Sequence, residues 1–551
     1  MSLRENVKSM EVTNIMKKRV FALAMSGILA IGLMAGCGQN KETSSTETES
    51  TVSSENQDNE LVFVNYRDIR DLNPHLYAGE MYAQSILYDT LVSITEDGYE
   101  GCLAESWTIS EDGKTYTFKI REGVTFSDGT VCDANAILAN FNAIIENKER
   151  HTWLEMMNLL VGVSAPDDHT FVIEMSEAYY PMLTELGCIR PFAMISPNCM
   201  IDGSTKDGVE GYIGTGPYIL TDFVTDEYAV FERNENYWGE LPEIEKITVK
   251  VIPDNQTRIM ALESGEIDLI FGKNMLDADA ISQYVESDEF EVALSDPTST
   301  RHIVLNTTND ILNDTSVRQA LQHATNRKAI SEGIFYGLEK PADTLYATTV
   351  PYCDIDLEPY EYNTDTASAM LEEAGWTMGD DGVREKDGKK LELDLLYNSD
   401  SVTEKTISEY LQSEYLKLGI SLNIHGEEEQ SYRDNMKAGN FDMVFNICWG
   451  MPYDPQSSLA AMRAPVYGDY AAQLGLADKE EIDQAITSIL TTTDETERQE
   501  LYEYVLTRLH EDAVYIPLTF ECNKALYTTE LQGVHFGTDQ YDVPFADMYF
   551  E

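Results

Sequence analysis

The sequence predicts an α/β fold built as more than one folded unit. The chain has 551 residues, more than a single hydrophobic core accommodates. Hydrophobic residues make up 43% of it, enough for a buried interior. From Leu61 onward, short strand-like runs alternate with helical runs, and no repeat of solenoid length is present. Such interleaving predicts mixed sheets with helices packed on their faces.

The individual elements follow from the spacing of apolar residues. Alternating or continuous apolar runs predict strands at 61–64, 116–120, 247–251, 391–397 and 421–424. Helical spacing predicts helices at 317–324, 367–374 and 404–418. Gly375 follows the second of these helices, in the position where a glycine commonly ends a helix.

The N-terminal segment predicts export and lipid attachment. Three basic residues at 17–19 precede seventeen uncharged residues, 20–36, which is short for a membrane span of about 20 residues. This run ends in Leu33-Met34-Ala35-Gly36-Cys37. The motif resembles a bacterial lipobox, although Met34 stands where leucine is usual, and it implies cleavage before Cys37 and lipidation of that cysteine. An uncleaved anchor helix is the alternative.

We therefore assign residues 1–36 to a lipoprotein signal peptide, with Met16 as an alternative start. Residues 37–60 are rich in Ser, Thr, Glu, Asn and Gln. They contain too little apolar surface to offset the entropy of ordering, so they predict a disordered tether between membrane and folded body.

The charge balance excludes one class of partner. The chain carries 97 acidic and 38 basic residues, a formal net charge of −59. A nucleic-acid-binding protein needs basic residues to displace counterions from phosphates, so we expect no nucleic-acid partner. Most of the acidity is typical of a solvated surface, against which an arginine in a cleft is conspicuous.

The cysteines indicate no zinc finger and no redox motif. Eight cysteines occur, and none forms a CxxC pair. Setting Cys37 aside leaves seven, an odd number, which favours small buried thiols. One disulfide among them remains compatible with the spacing.

Four sequence blocks carry a family resemblance, at 103–107 with 110–116, 124–129, 214–218 and 234–239. Together they resemble family 5 of bacterial extracellular solute-binding proteins, the peptide and nickel receptors of ABC importers. We interpret Gly214, Gly216 and Asp112-Gly113 within these blocks as turn or close-approach positions rather than ligand contacts.

The resemblance implies a periplasmic-binding-protein-like fold of type II, in the large cluster C form, with two lobes and a hinge between them. It assigns 61–300 to lobe I, with an inserted subdomain at about 106–210. It assigns 301–515 to lobe II, and 516–551 to a return into lobe I.

Further segments resemble the nickel receptors of this family, at 72–77, 150–155, 179–181, 190–192, 449–455 and 462–463. The resemblance implies that Arg150 and Arg190 hold carboxylates of an organic metal chelator. A guanidinium grips a carboxylate through two parallel hydrogen bonds, which suits this role. Ordinary ion pairing within an acidic protein is the alternative for either arginine.

The same resemblance implies that five more side chains line the ligand cleft, Tyr77, Met81, Trp153, Trp449 and Tyr453. Aromatic walls supply apolar contact, stacking faces and polar tips. For Trp153 and Met81, a place in the hydrophobic core is the alternative.

One departure from the nickel receptors is important for the ligand. They carry a metal-binding histidine where this chain has Tyr467, and a neutral phenol with a pKa of about 10 is a poor ligand for Ni²⁺. We therefore expect no direct bond between protein and metal. Either the metal arrives fully coordinated, for example by histidine molecules or a metallophore, or the ligand is peptide-like.

The absence of an acidic residue at 449–453 favours the chelate over a peptide, because the buried amine of a peptide there would lack a partner.

We predict a solute receptor of an ABC importer that binds nickel or another transition metal as an organic chelate, with a di- or oligopeptide receptor as the alternative. We expect no enzyme activity and no intrinsic cofactor. We expect a monomer outside the cytoplasm, anchored to the membrane by lipid and delivering its ligand to permease subunits.

Overall fold

The computed structural model describes residues 59–95, 98–448 and 455–551. These ranges form a large mixed sheet, a separate four-stranded antiparallel sheet and several short ribbons, with helices packed on the sheet faces. The predicted signal peptide, Cys37 and residues 37–58 of the predicted tether lie outside the described residues.

The first half of the described chain contains thirteen strands and seven α-helices within 59–95 and 98–281. Its strands are β1 (Glu60–Asn65), β2 (Val92–Thr95), β3 (Gly98–Gly101), β4 (Ala104–Ile109), β5 (Thr115–Ile120), β6 (Leu160–Asp167), β7 (Thr170–Met175), β8 (Met200–Ile201), β9 (Ser204–Val209), β10 (Tyr218–Val224), β11 (Tyr228–Arg233), β12 (Lys246–Val251) and β13 (Leu269–Phe271). Its helices are α1 (Met81–Leu87), α2 (Ala134–Glu146), α3 (Glu155–Leu159), α4 (Met182–Leu186), α5 (Ile189–Phe192), α6 (Asn255–Glu263) and α7 (Ala278–Ile281), with 3₁₀ turns at Lys148–Arg150 and Pro197–Cys199.

The second half begins with a long strand and ends in short ribbons. Its strands are β14 (Phe290–Leu305), β15 (Lys340–Pro341), β16 (Thr377–Met378), β17 (Arg384–Lys386), β18 (Lys389–Lys390), β19 (Glu392–Asn398), β20 (Ser421–Glu427), β21 (Met443–Cys448), β22 (Tyr515–Thr528), β23 (Leu531–Gln532) and β24 (Tyr549–Phe550). Its helices are α8 (Thr315–Ala324), α9 (Arg327–Gly333), α10 (Thr364–Glu373), α11 (Val402–Leu416), α12 (Glu429–Ala438), α13 (Gln456–Ala461), α14 (Gly468–Gln473), α15 (Lys479–Thr491) and α16 (Glu495–Glu511), with a 3₁₀ turn at Phe545–Asp547.

The large sheet joins two α/β halves through two central strands. Its order is β10-β11-β12-β1-β13-β22-β14-β21-β19-β20, with β15 paired to β22. On one side β1 pairs in parallel with β12 and β13, and on the other β19 pairs in parallel with β20 and β21. Between them β14 and β22 are antiparallel to each other. This arrangement of two lobes about a two-stranded connection confirms the predicted fold class.

The strands β14 and β22 are long enough to belong to both lobes. Their pairing runs from Phe290 opposite Thr528 to Val304 opposite Tyr515. The register shifts between Leu294 and Pro297 and again just before His302. Such irregularities bend a strand locally and increase its twist, so the two ends of the pair serve differently oriented lobes.

The elements predicted from apolar spacing are confirmed. In α8, Val317, Ala320 and Leu321 are fully buried, as their helical spacing requires. Helix α10 is followed by Gly375, whose φ of +90° is the left-handed conformation expected after a helix end. Strands β1, β5, β12, β19 and β20 and helix α11 cover the remaining predicted segments.

The four-stranded sheet, β4-β5-β7-β6, has its own hydrophobic core. Phe118 and Phe171 from its strands and Phe141 from α2 are fully buried, and the rings of Phe141 and Phe171 lie 4.8 Å apart. This core anchors the segment that follows α2, which carries Arg150, His151 and Trp153.

All seven cysteines of the described residues are buried thiols, as the sequence predicts. In the same part of the chain, every helix is too short or too polar to cross a bilayer.

Close backbone approach explains the glycine at 214. A Cβ built there would lie 1.9 Å from the carbonyl oxygen of Leu87, and one at Gly216 would lie 2.6 Å from that of Ile86. These contacts, with the φ of +68° at Gly113, confirm the structural interpretation of these glycines.

We expect Gly214→Ala to lower the free energy of unfolding by about 2 kcal/mol, because its methyl group forces the backbone of α1 away. Gly162→Ala is the matched control, since a Cβ at Gly162 meets nothing within 4 Å. Chemical unfolding of both variants measures the effect. Equal stabilities would contradict the close approach.

Candidate functional site

A cleft of about 750 Å³ lies where the two lobes face each other. Tyr77 and Trp153 line it from lobe I, and Gln540 and Tyr541 line it from the C-terminal return. The opposite wall comes from the ends of β19 and β21, from α12 and from the residues before α14. A cleft with walls from both lobes is the geometry in which a ligand is enclosed by lobe closure.

The lobe I wall is a hydrogen-bonded chain of rings. The indole N–H of Trp153 donates to the hydroxyl oxygen of Tyr77 over 2.8 Å, and that hydroxyl lies 2.7 Å from Nδ1 of His151. The Tyr77 ring meets the rings of Trp153 and His151 edge to face. The exposed fractions of Trp153 and Tyr77 are 40% and 38%, so both rings still present a face to the cleft.

Burial keeps His151 neutral. An indole only donates, so the Tyr77 oxygen accepts from Trp153, and its hydrogen bond with Nδ1 of His151 runs in the direction that the histidine tautomer sets. Nε2 of His151 is buried without a hydrogen-bond partner among the described residues. Burial, reinforced by the nearby Arg150 charge, lowers the pKa of His151 to about 4, in agreement.

Arg190 is a desolvated cation next to the cleft. Its Nε–H donates to Gln84 Oε1 and an Nη2–H donates to the carbonyl oxygen of Gly79, both over 2.6 Å. No carboxylate of the described residues lies within 4.0 Å of its guanidinium. Burial lowers the pKa of Arg190, and its positive charge acts on the hydroxyls of Tyr77 and Tyr541, which line the cleft.

Arg150 and Met81 lie at the edge of this arrangement. Arg150 ends a 3₁₀ turn, is exposed, and forms no ion pair with a described residue. Met81 is half-buried at the start of α1, the helix that also supplies Gln84 to Arg190. Like Arg190, neither side chain belongs to the lining of the 750 Å³ cleft, whereas Tyr77, Trp153 and Tyr467 all do.

Tyr467 stands on the lobe II wall beside Val466, whose exposed fraction is 45%. It directly precedes α14 and is half-buried. Burial raises the pKa of Tyr467 and the charge of Arg433 opposes that rise, so the phenol stays neutral at ordinary pH. Among the described residues, no group of three or more His, Cys, Asp or Glu side chains is arranged to hold a metal ion.

Several lining residues carry no sequence motif. Asn398 ends β19, and its backbone N–H donates to Glu404 over 2.9 Å while its side chain donates to Glu429 over 2.5 Å. Burial raises the pKa of Glu404. Arg433 pairs with Glu429 on α12. The predicted lining residues Trp449 and Tyr453 lie outside the described residues.

Comparison with known proteins assigns the family. The sequence profile of "Bacterial extracellular solute-binding proteins, family 5 Middle" matches residues 98–469. The chain belongs to this family. Family 5 proteins are solute-binding receptors that act outside the cytoplasm, so the predicted family and the predicted receptor class are confirmed.

Individual family 5 relatives match over most of the chain. The nickel-binding periplasmic protein of Escherichia coli is 42% identical over 87% of this chain and 93% of its own length. The structure of NikA from Brucella suis in complex with Fe(III)-EDTA is 42% identical, with a TM-score of 0.87 over 89% of this chain and 100% of that one. An ABC transporter substrate-binding protein from Sinorhizobium meliloti is 28% identical, with a TM-score of 0.75 over 89% and 100%.

We expect the stability that His151 contributes to depend on pH. Its folded pKa of about 4 lies below the ordinary value of 6.5, so between these values the unfolded state binds a proton that the folded state does not. The free energy of unfolding of wild type, minus that of His151→Gln, should rise by about 3 kcal/mol from pH 4 to 6.5 and stay constant above. Denaturant unfolding at stepped pH measures this difference, and a flat curve would exclude a neutral, buried His151.

Proposed function

We propose that this protein is the receptor of an ABC importer that captures a transition metal, foremost nickel, inside an organic chelate. It delivers this cargo to the permease subunits. The receptor works as a monomer, held at the outer face of the cell membrane by lipid on Cys37, and it needs no resident cofactor because the metal is cargo.

The observation that carries this proposal is the state of Arg190. A cation removed from water is costly unless a counter-charge compensates it. In a chain with 97 acidic residues, Arg190 is nevertheless held by neutral oxygens of Gln84 and Gly79. Such a cation beside a ligand-sized cleft matches an anionic ligand, and the carboxylate of a chelator supplies that anion.

The relatives agree with this chemistry. One is a nickel-binding protein and another binds iron wrapped in a polycarboxylate, EDTA. Tyr467 favours the same conclusion, because a neutral phenol on the lobe II wall offers a hydrogen bond to a chelator rather than a bond to Ni²⁺. The aromatic wall of Trp153 and Tyr77 supplies flat apolar contact for the organic part of the chelate.

We expect isothermal titration of the chain from residue 59 onward to detect binding of Ni²⁺ with excess histidine or with EDTA, and none of free Ni²⁺. Arg190→Gln should weaken chelate binding at least about tenfold, the value of a charge-assisted hydrogen bond pair. Arg150→Gln tests the second predicted arginine in the same way.

Lys389→Gln is the charge-matched control, since Lys389 pairs with Asp310 on the exposed surface outside the cleft. Unchanged affinity in Arg190→Gln would remove this arginine from the site. Binding of dipeptides without any metal chelate would favour the peptide-receptor alternative, and binding of free Ni²⁺ would contradict the role given to Tyr467.

A further inference from the structure

The lobe II wall carries a second guanidinium that no sequence motif marks. Glu429, Arg433 and Lys437 lie four residues apart on α12, so they share one helix face, and all three line the cleft. Arg433 stands among acidic neighbours, since Glu404, Glu429 and Asp434 line the same wall. Its side chain is exposed at this wall, opposite lobe I, and these carboxylates offset part of its charge.

A short scaffold holds Arg433 in position. Its Nε–H donates to Oε1 of Glu429, and the other oxygen of Glu429 accepts from the side chain of Asn398 over 2.5 Å. Asn398 belongs to β19, in the interior of the large sheet. The sheet thus orients Glu429, and Glu429 orients the guanidinium. A rigid support of this kind is what a recognition group needs.

The guanidinium keeps most of its donors available. Arginine has five N–H donors, and the Nε–H is the one that a described residue accepts. The paired side chains of Arg433 and Glu429 are 61% and 43% exposed. An exposed pair of this kind adds little to stability, so the fold has no strong need for Arg433.

Arg433 also lies close to Tyr467, which stands where the nickel receptors carry a histidine. Its charge acts on the hydroxyl of Tyr467, and Tyr467 in turn acts on Tyr541, which feels the charge of Arg190 from lobe I. Both tyrosines line the cleft, and each is acted on by a guanidinium, Tyr467 by Arg433 of lobe II and Tyr541 by Arg190 of lobe I.

We propose that Arg433 is a specificity-determining residue that binds a carboxylate of the ligand from lobe II, while Arg190 binds a second carboxylate from lobe I. This inference rests on the chelate-binding function proposed above. It names the ligand class, a metal chelate with net negative charge and at least two accessible carboxylates. A ligand that spans both guanidinium groups favours the closed arrangement of the lobes, because only closure lets both bind at once.

The test compares two Ni²⁺ chelates of different charge, the dianionic EDTA complex and the neutral bis-histidine complex. Isothermal titration measures the affinity of wild type, Arg433→Gln and Arg433→Lys for each. We expect Arg433→Gln to weaken binding of the EDTA complex about tenfold or more and binding of the bis-histidine complex less than about threefold. Arg433→Lys keeps the charge but not the bidentate geometry, so it should recover only part of the loss.

Lys405→Gln is the matched control. Lys405 pairs with Glu409 one helical turn away on α11, with side-chain exposure of 56% and 59%, and it lies outside the cleft lining. It removes the same charge from the same lobe and should leave both affinities unchanged. The melting temperature of each variant checks that it is folded. We expect all variants to fold, because the side chains of Arg433 and Lys405 are exposed.

The outcomes separate the two proposals. Binding of the chelates by wild type with no loss in Arg433→Gln overturns the role of Arg433 and leaves the proposed function intact. Equal losses for both complexes, or an equal loss in Lys405→Gln, also overturn it, because then Arg433 acts through general charge or structure. Failure of wild type to bind either complex overturns the proposed function and this inference together.

Discussion

The buried ion pair between Arg301 on β14 and Glu521 on β22 is the interaction on which the cleft depends. It lies where both strands pass from one lobe to the other. Burial by itself raises the pKa of Glu521, but Arg301 and Lys273 outweigh it and hold that pKa well below its usual range. Lys273 comes from the loop after β13 and Ser299 also donates to Glu521, each over 2.5 Å. Breaking a buried pair costs several kcal/mol, so these contacts fix both the strand register and the approach of lobe I to the connection.

The two walls of the cleft differ because they are supported differently. On the lobe I side, Trp153 and Tyr77 are tied by hydrogen bonds to buried His151, which leaves flat rings in fixed orientation. On the lobe II side, Asn398 and Glu429 hold a charged group by ion pairing and hydrogen bonding. The lobe I wall therefore presents flat apolar surface beside the charge of Arg190, and the lobe II wall presents the charge of Arg433. In the proposed function, lobe closure brings both walls onto one ligand.

Apolar spacing predicted the helices and strands well, because the face that each element buries is written as a short repeat along the chain. Val317, Ala320 and Leu321 repeat at helical intervals, and β19 alternates as a sheet strand does. The residues of the cleft were harder to predict from the sequence. Arg433 with Glu429 and Lys405 with Glu409 follow the same four-residue spacing on neighbouring helices, yet the first pair lines the cleft and the second does not. Only tertiary structure separates them. Tyr541 was missed for the same reason, since it enters the cleft from the distant C-terminal return.

The strongly acidic composition and an anionic ligand are compatible because electrostatic range depends on solvent. With a formal net charge of −59, the protein repels anions at long range, but physiological salt screens exposed charges beyond about 8 Å. Inside the cleft the balance is set by nearby groups in a less polar medium, where interactions are several times stronger. Arg190 is half-buried and hydrogen-bonded to neutral oxygens, and although Glu80 and Asp539 act on its charge, no carboxylate of the described residues pairs with its guanidinium. In the proposed function, Tyr467 contributes a neutral donor instead of an imidazole, and the carboxylates of the cargo provide the affinity in place of a bond to its metal.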